Sequence, residues 1–389
     1  MDDVDANILY LDYMASTPMC EEALHTYVHV GETCVYNAQS AHVGGIQASG
    51  LIQEAKNTLL DIVDARTTHG LIFLSSATRA NYRACGSLLP NTTVYMTKTE
   101  HSSMLSAGVI CSSRVKYVPC DSYGAMNLTS FCNMLQQEDP DTKILVTLMH
   151  VNNELGTINH IYETAYICST RPNTWFHVDA SQSFCKLPLK LSMPNANGNG
   201  RKKSHIHMLT ISGHKIHGPK GIGALIYDTD MVMKHRFIGT PDTPAMCSFA
   251  AAARSTHEDY SNIDMNYIHQ LRRRLLWGLM EKTDLKIRAN YDAQNSENSV
   301  PWCVNLFLKD IFVDDLIQLS DGVIFSAGSA CNSQSRLDSH VLAACGYEPH
   351  YSRQCARLSF DPIGANEEFI DDIIYRLVSN IDLYHSINA

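Results

Sequence analysis

The sequence predicts an α/β protein built on a mostly parallel sheet, and three observations predict it. Short apolar runs alternate with helix-like segments through the first two thirds of the chain. The polar motifs that carry chemistry each follow such a run, where the carboxyl edge of an open sheet gathers ligands. The 389 residues are 45% hydrophobic and 18% charged, which suits a large core and is too apolar for disorder.

Residues 71–74, 93–96, 115–118, 143–148, 175–178 and 208–211 read as strands, with a further one at 224–227. Helices are expected between several of them, over 48–63 and 128–137. The stretch 195–203 (Asn-Ala-Asn-Gly-Asn-Gly-Arg-Lys-Lys) is polar, Gly-rich and basic, and reads as a surface loop. After about residue 255 the pattern changes to a long amphipathic helix (262–282), a few strands and a terminal helix (367–384), the expected smaller domain.

The formal charge of −10 argues against a general nucleic-acid surface. No apolar run reaches the ~18 residues of a membrane span. The segment Met1-Asp2-Asp3-Val4-Asp5 lacks the basic and apolar regions of a secretory signal. Thirteen cysteines, an odd count at irregular spacing without a CxxC pair, fit neither a disulfide framework nor a zinc site. A reducing, cytoplasmic setting is therefore expected, with most cysteines acting as small buried hydrophobes. The pairs His205/His207 and His214/His217 lack further ligands at metal spacing, so no metal is expected.

Lys215 stands in Ser212-Gly213-His214-Lys215-Ile216-His217-Gly218-Pro219-Lys220-Gly221, and upstream comes His177-Val178-Asp179-Ala180-Ser181-Gln182. An amine that must shed its proton, a carboxylate at a strand end and a Ser/His pair are what pyridoxal phosphate requires. The amine condenses with its aldehyde, the acid keeps its pyridine nitrogen protonated, and the Ser and His donors hold its phosphate. Thr78, in Ser75-Ser76-Ala77-Thr78 after the 71–74 strand, is either a phosphate anchor or a plain helix cap. His101 is either a structural histidine or a ring stacked on a cofactor and placed for proton transfer. Asn152 and Asn153 follow the 143–148 strand, as turn residues or as donors to a phenolate oxygen.

In order along the chain stand Leu11-Asp12-Tyr13-Met14-Ala15-Ser16-Thr17-Pro18, Ser76-Ala77-Thr78, Glu100-His101 and His150-Val151-Asn152-Asn153-Glu154-Leu155-Gly156. The Asp179 and Lys215 motifs follow, then Ser326-Ala327-Gly328-Ser329-Ala330-Cys331. Together they resemble the cysteine desulfurases, pyridoxal-phosphate enzymes of the class V aminotransferase group, over nearly the whole chain. The resemblance implies an aspartate-aminotransferase-like fold. Its large domain (16–255) would hold a mostly parallel seven-stranded sheet, its smaller α/β domain (256–389) the catalytic-cysteine loop, and residues 1–15 an arm packed on the smaller domain.

It also implies roles. Lys215 would bind the coenzyme covalently, Asp179 would pair with its ring nitrogen, and His101 would stack and shuttle protons. Gln182 and Asn153 would contact its phenolate oxygen, with Asn153 also near the substrate. Thr78, Ser212 and His214 would hold the phosphate, and Thr240 would reach the phosphate of a neighbouring subunit, which implies a homodimer. Arg357 would bind the carboxylate of L-cysteine, and Cys331 would take its sulfur as a persulfide for an acceptor protein. The small residues around Cys331 match the branch that hands sulfur to partner proteins.

Three departures point to a specialised member serving DNA phosphorothioation, tRNA thiolation or iron–sulfur assembly. The segment 228–239 is short where relatives carry basic docking residues. Arg79 follows Thr78 where the family has Glu, and 195–203 is an insertion. Two other readings stand beside this one: a selenocysteine lyase or other class V enzyme, and a coenzyme-retaining scaffold for a sulfur carrier.

Overall fold

The computed structural model describes residues 8–87, 91–112, 114–194, 201–231, 239–283, 287–291, 295–327 and 338–388. Seven strands form one sheet in the order His69–Leu74, Gly223–Asp228, Met208–Ser212, Thr174–Asp179, Ile144–Met149, Thr93–Thr97, Arg114–Val118. Only Gly223–Asp228 runs antiparallel to its neighbours. The expected mostly parallel sheet is present, and the seven strands read between residues 71 and 227 all fall in it.

The sequence dictates which strands are central. Every residue of Thr93–Thr97, Ile144–Met149 and Met208–Ser212 is buried, as strands covered on both faces require. The edge strand Arg114–Val118 carries Arg114 and Lys116, charges that discourage further pairing. Helices Glu21–Thr33 and Val43–Ile62 pack against Thr243–Ser261. The residues Phe73, Ile211 and Ile226 share one core with residues of the latter two helices, Phe249 among them.

A second core surrounds a four-stranded antiparallel sheet ordered Ile287–Ala289, Cys303–Leu308, Cys355–Ser359, Ser326–Ala327. Helices Met265–Lys282 and Glu367–Asn388 pack together over it. Leu9–Tyr10 joins this side by parallel pairing with Val323–Ile324, and Leu9, Leu11 and Met14 enter the second core. Helix Thr243–Ser261 gives Phe249 to the first core and Tyr260 to the second. No helix among the described residues is long and apolar enough to cross a membrane.

Element ends differ from expectation for local reasons. The second helix begins at Val43 rather than 48, because Gly44 and Gly45 hide its first turn from a periodicity reading. A Cβ at Gly45 would stand 2.1 Å from the Ser40 carbonyl oxygen, so the close approach requires glycine. The later helix starts at Met265 rather than 262, since the Asp264 side chain caps it at the amides of Asn266 and Tyr267. Arg201–Lys203, expected in a loop, is instead a strand paired with Ser192–Pro194. Lys203 anchors it by ion pairs to Asp228 and Asp230 at 2.5 and 2.6 Å, so part of its basic charge is already neutralised. Residues 195–200 and 232–238 of the two departing segments lie outside the described residues.

Phe249 is fully buried and meets the Phe73 ring edge-on at 6.4 Å. Phe249→Ala should cost about 3–5 kcal/mol of stability. Urea unfolding checks this: the midpoint should fall with little change in slope, and an unmoved midpoint would contradict the packing described.

Candidate active site

The polar motifs converge because parallel strands all end at one edge of the sheet. Leu74, Thr97, Met149, Asp179 and Ser212 are the final residues of their strands. A cavity of about 260 Å³ opens there, lined by Thr78, His101, Asn153, Asp179, Gln182, Ser212, His214, Lys215 and Arg357. Thr240 is exposed and does not line it. Cys331 lies outside the described residues.

Asp179 is held by three hydrogen bonds. Asn81 Nδ2 donates to Oδ2 at 2.8 Å, while the Ser181 amide and hydroxyl donate to Oδ1 at 3.0 and 2.6 Å. A carboxylate offers about four acceptor positions, which leaves one on Oδ2 for a further donor. Asn81 Nδ2 also reaches Ser103 Oγ at 3.0 Å, and Ser103 Oγ lies 2.8 Å from His101 Nδ1. The Ser103 amide donates to the same Nδ1 at 3.1 Å, making His101 the cap of helix Ser102–Cys111. His101 is thus both a structural cap and a wall of the cavity. The amide can only donate, so Nδ1 is an acceptor and the neutral ring carries its proton on Nε2, with the Ser103 hydroxyl free to donate to Nδ1 as well.

Lys215 Nζ donates to the carbonyls of Met14 and Ala15 at 2.5 and 2.8 Å. Gln182 Nε2 donates to the same Met14 oxygen at 2.8 Å. Arg357 comes from the other sheet, on the strand Cys355–Ser359 between Asn305 and Ser326. It is 1% exposed, donating to the Asn153 carbonyl at 2.8 Å and pairing with Asp12 Oδ1 at 2.6 Å.

Ser76, also on the cavity lining, caps helix Ala77–Gly86 by accepting from the Arg79 amide at 3.2 Å. Thr78 is therefore not the cap. The first amides of that helix, at Ala77 and Thr78, have no acceptor within it and suit an anion. Glycine at 223 permits this placement, since a Cβ there would lie 2.6 Å from the Ala77 nitrogen. Ser212 and His214 also line the cavity, with His214 Nδ1 3.3 Å from Ser16 Oγ.

Pyridoxal phosphate fits these residues. Asn81 Oδ1, Asn153 Oδ1, Gln182 Oε1 and Arg357 Nε are buried, line the cavity wall and have no hydrogen-bond partner among the described residues. Buried polar atoms of this kind call for a polar ligand. An amine, an acid with one acceptor position left and a helix N-terminus at separate points match its aldehyde, ring nitrogen and phosphate. Asn81, Ser103, Ser181 and Asp12 were not singled out in the sequence. Ser181 was signalled by its place two residues after Asp179, whereas Asn81 and Asp12 act through contacts far along the chain.

The family model for class-V aminotransferases matches residues 9–237. A mitochondrial cysteine desulfurase of Candida albicans is 27% identical, over 96% of this chain and 77% of its own. A solved NifS-like protein superposes with a TM-score of 0.81 at 24% identity, covering 97% of this chain and all of its own. SspA in complex with cysteine superposes at 0.71 with 25% identity, over 91% of this chain and 99% of its own.

Burial sets the charge states around the cavity. It pushes His101 below its usual range, opposed by Asp179 and aided by the Lys215 charge. His150 and His214 are pushed down to about 4, His214 with help from Lys215, Lys220 and Lys186. These rings are neutral at neutral pH. Burial lifts Glu100 from 4.5 to about 8 against hydrogen bonds from the Met149 amide and Thr97, with the Asp179 charge adding to the rise. Between those values the folded chain keeps a proton that the unfolded chain has lost, so this group lowers stability as pH rises. Glu100→Gln removes the titration, and the histidine contributions cancel between the two proteins. Urea unfolding should show the variant gaining on the parent by a few kcal/mol from pH 5 to 8. A constant difference would contradict a neutral Glu100.

Proposed function

The chain belongs to the class-V aminotransferase family, and from that premise we propose that it is a cysteine desulfurase, converting L-cysteine to L-alanine with sulfur passed through Cys331. The observation that carries this reading is one cavity holding Lys215, Asp179, His101 and Arg357, delivered by two different sheets. When bound, pyridoxal phosphate supplies an aldehyde for amines and a ring that accepts the electron pair left by a departing α-proton. The remaining steps belong to the protein's own groups.

Asp179, with one acceptor position left, holds the proton on the ring nitrogen. The Ala77 and Thr78 amides, with Ser212 and His214, hold the phosphate. Arg357 receives the substrate carboxylate, a planar fork meeting a planar acid. Asp12 and the Asn153 carbonyl fix the angle of that fork. Lys215 leaves the carbonyls of Met14 and Ala15 to take the substrate's α-proton. Neutral His101 relays protons at Nε2: with Nδ1 accepting from the Ser103 amide, Nε2 carries the ring proton and is the atom left to exchange it with the substrate. The Cys331 thiolate then attacks the substrate sulfur. An S–S bond forms, the Cβ–S bond breaks, and the carbon fragment leaves as alanine once protonated. Cys331 is left carrying a persulfide for an acceptor protein.

A homodimer belongs to the same reading. Leu24, Tyr27, Val28, Val35, Tyr36, Val43 and Ile46 are exposed along the first two helices and their connection, more apolar surface than scattered single residues explain. Gln39 Nε2 reaches the Gly239 carbonyl at 3.4 Å, which sets Thr240 beside this surface and outside its own cavity. We divide the chain into a coenzyme-holding domain to about residue 255 and a smaller one after it, with the arm before residue 16 seated on the second core.

Alanine release from L-cysteine, with coenzyme absorbance followed in parallel, tests the reading. Cys331→Ser should keep the coloured coenzyme and release no alanine. Arg357→Ala should raise KM for cysteine on the order of 10–100-fold. Normal turnover in Cys331→Ser would remove the assigned nucleophile.

A further inference from the structure

Two partly buried thiols outside the cavity are brought together although they come from distant parts of the chain. Cys120 lies on the loop after the strand Arg114–Val118, and Cys345 follows the short helix His340–Ala344. Cys120 Sγ is 3.3 Å from the carbonyl oxygen of Ala344, the residue before Cys345. The Cys345 sulfur also packs against that loop, where a Cβ at Gly124 would stand 3.5 Å from it. Each thiol shifts the titration of the other, as close neighbours do. Neither takes part in the cavity chemistry, and both are open to solvent.

Their closeness makes the two sulfurs unequal. The neighbouring Cys345 thiol holds the Cys120 thiol below its ordinary range, against burial. The Cys120 thiol and burial push Cys345 well up. A thiol with thiolate character, partly exposed and next to a second thiol, is the arrangement in which peroxide oxidation ends in a disulfide.

We propose that Cys120 and Cys345 form a peroxide-reactive dithiol, with Cys120 attacking and Cys345 resolving. The Cys120 thiolate attacks one peroxide oxygen and the O–O bond breaks. Cys120 becomes a sulfenic acid, and the other oxygen takes a proton and leaves as water. Cys345 then attacks the sulfenic sulfur: an S–S bond forms, the S–OH bond breaks, and the hydroxyl leaves as water with the Cys345 proton. Two thiols lose two electrons and two protons, and hydrogen peroxide is reduced to two waters. The product ties helix His340–Ala344 to the loop of the large sheet. The cap of that helix, Ser339, donates to Glu154 at 2.5 Å and His340 lies 2.9 Å from the Glu100 carbonyl, each partner adjacent in sequence to a cavity residue, Asn153 or His101.

The test exposes the purified full-length protein to hydrogen peroxide, alkylates it and digests it without reductant. A peptide joining Cys120 to Cys345 should appear, and dithiothreitol should return both thiols. Alkylation at the two positions should be lost together, about tenfold faster than at half-exposed Cys132. In C345S, dimedone should label Cys120; in C120S, Cys345 should stay unlabelled. Loss at the pace of Cys132, a disulfide to any other cysteine, or dimedone on Cys345 in C120S would each overturn the proposal.

Discussion

The hydrogen bonds that Asp179 accepts from Asn81 and Ser181 are the constraint on which the rest of the site depends. A buried carboxylate persists as a charge only where donors surround it. Here those donors come from its own turn and from a helix that must lie against the neighbouring strands. Gly223 lets that helix approach, and Asn81 ties it on to Ser103 and His101. One acid therefore sets the position of the anion-holding helix end and of the imidazole together.

The second organising contact joins the two cores. The segment 12–17 supplies carbonyls to Lys215 and Gln182, while its Asp12 pairs with Arg357 from the smaller sheet. The amine and the guanidinium thus share one short stretch of backbone, although they belong to different sheets. Any shift of this segment moves both. In the proposed reaction the substrate carboxylate would meet a guanidinium whose Nη1 and Nη2 are already engaged, so it would bind by the remaining donors or by displacing Asp12.

Much of this was legible from the sequence. The buried strands were readable because burial on both faces leaves continuous apolar runs, and the chemistry sits in the residue or two after each run. Ser76, not Thr78, proved to be the helix cap, because a shift of two residues decides which hydroxyl meets the Arg79 amide. Asn81 was hidden in mid-helix, where an asparagine has no local signature. Asp12 was hidden because its partner lies 345 residues away. The hairpin at Arg201–Lys203 was missed because three basic residues do not resemble a strand until Asp228 and Asp230 neutralise one of them. The dithiol could not be read at all, since nothing in the spacing of Cys120 and Cys345 brings them together.

The central claim is that one particular amine takes the coenzyme, and the fold offers a rival. Lys186 is buried, and burial lowers it to about 8, so it too can shed its proton. Borohydride reduction of coenzyme-loaded protein, followed by peptide mapping, separates them. The account predicts the coenzyme's mass on Lys215 and an unmodified Lys186. Label on Lys186, or none on Lys215 in fully loaded protein, would contradict it.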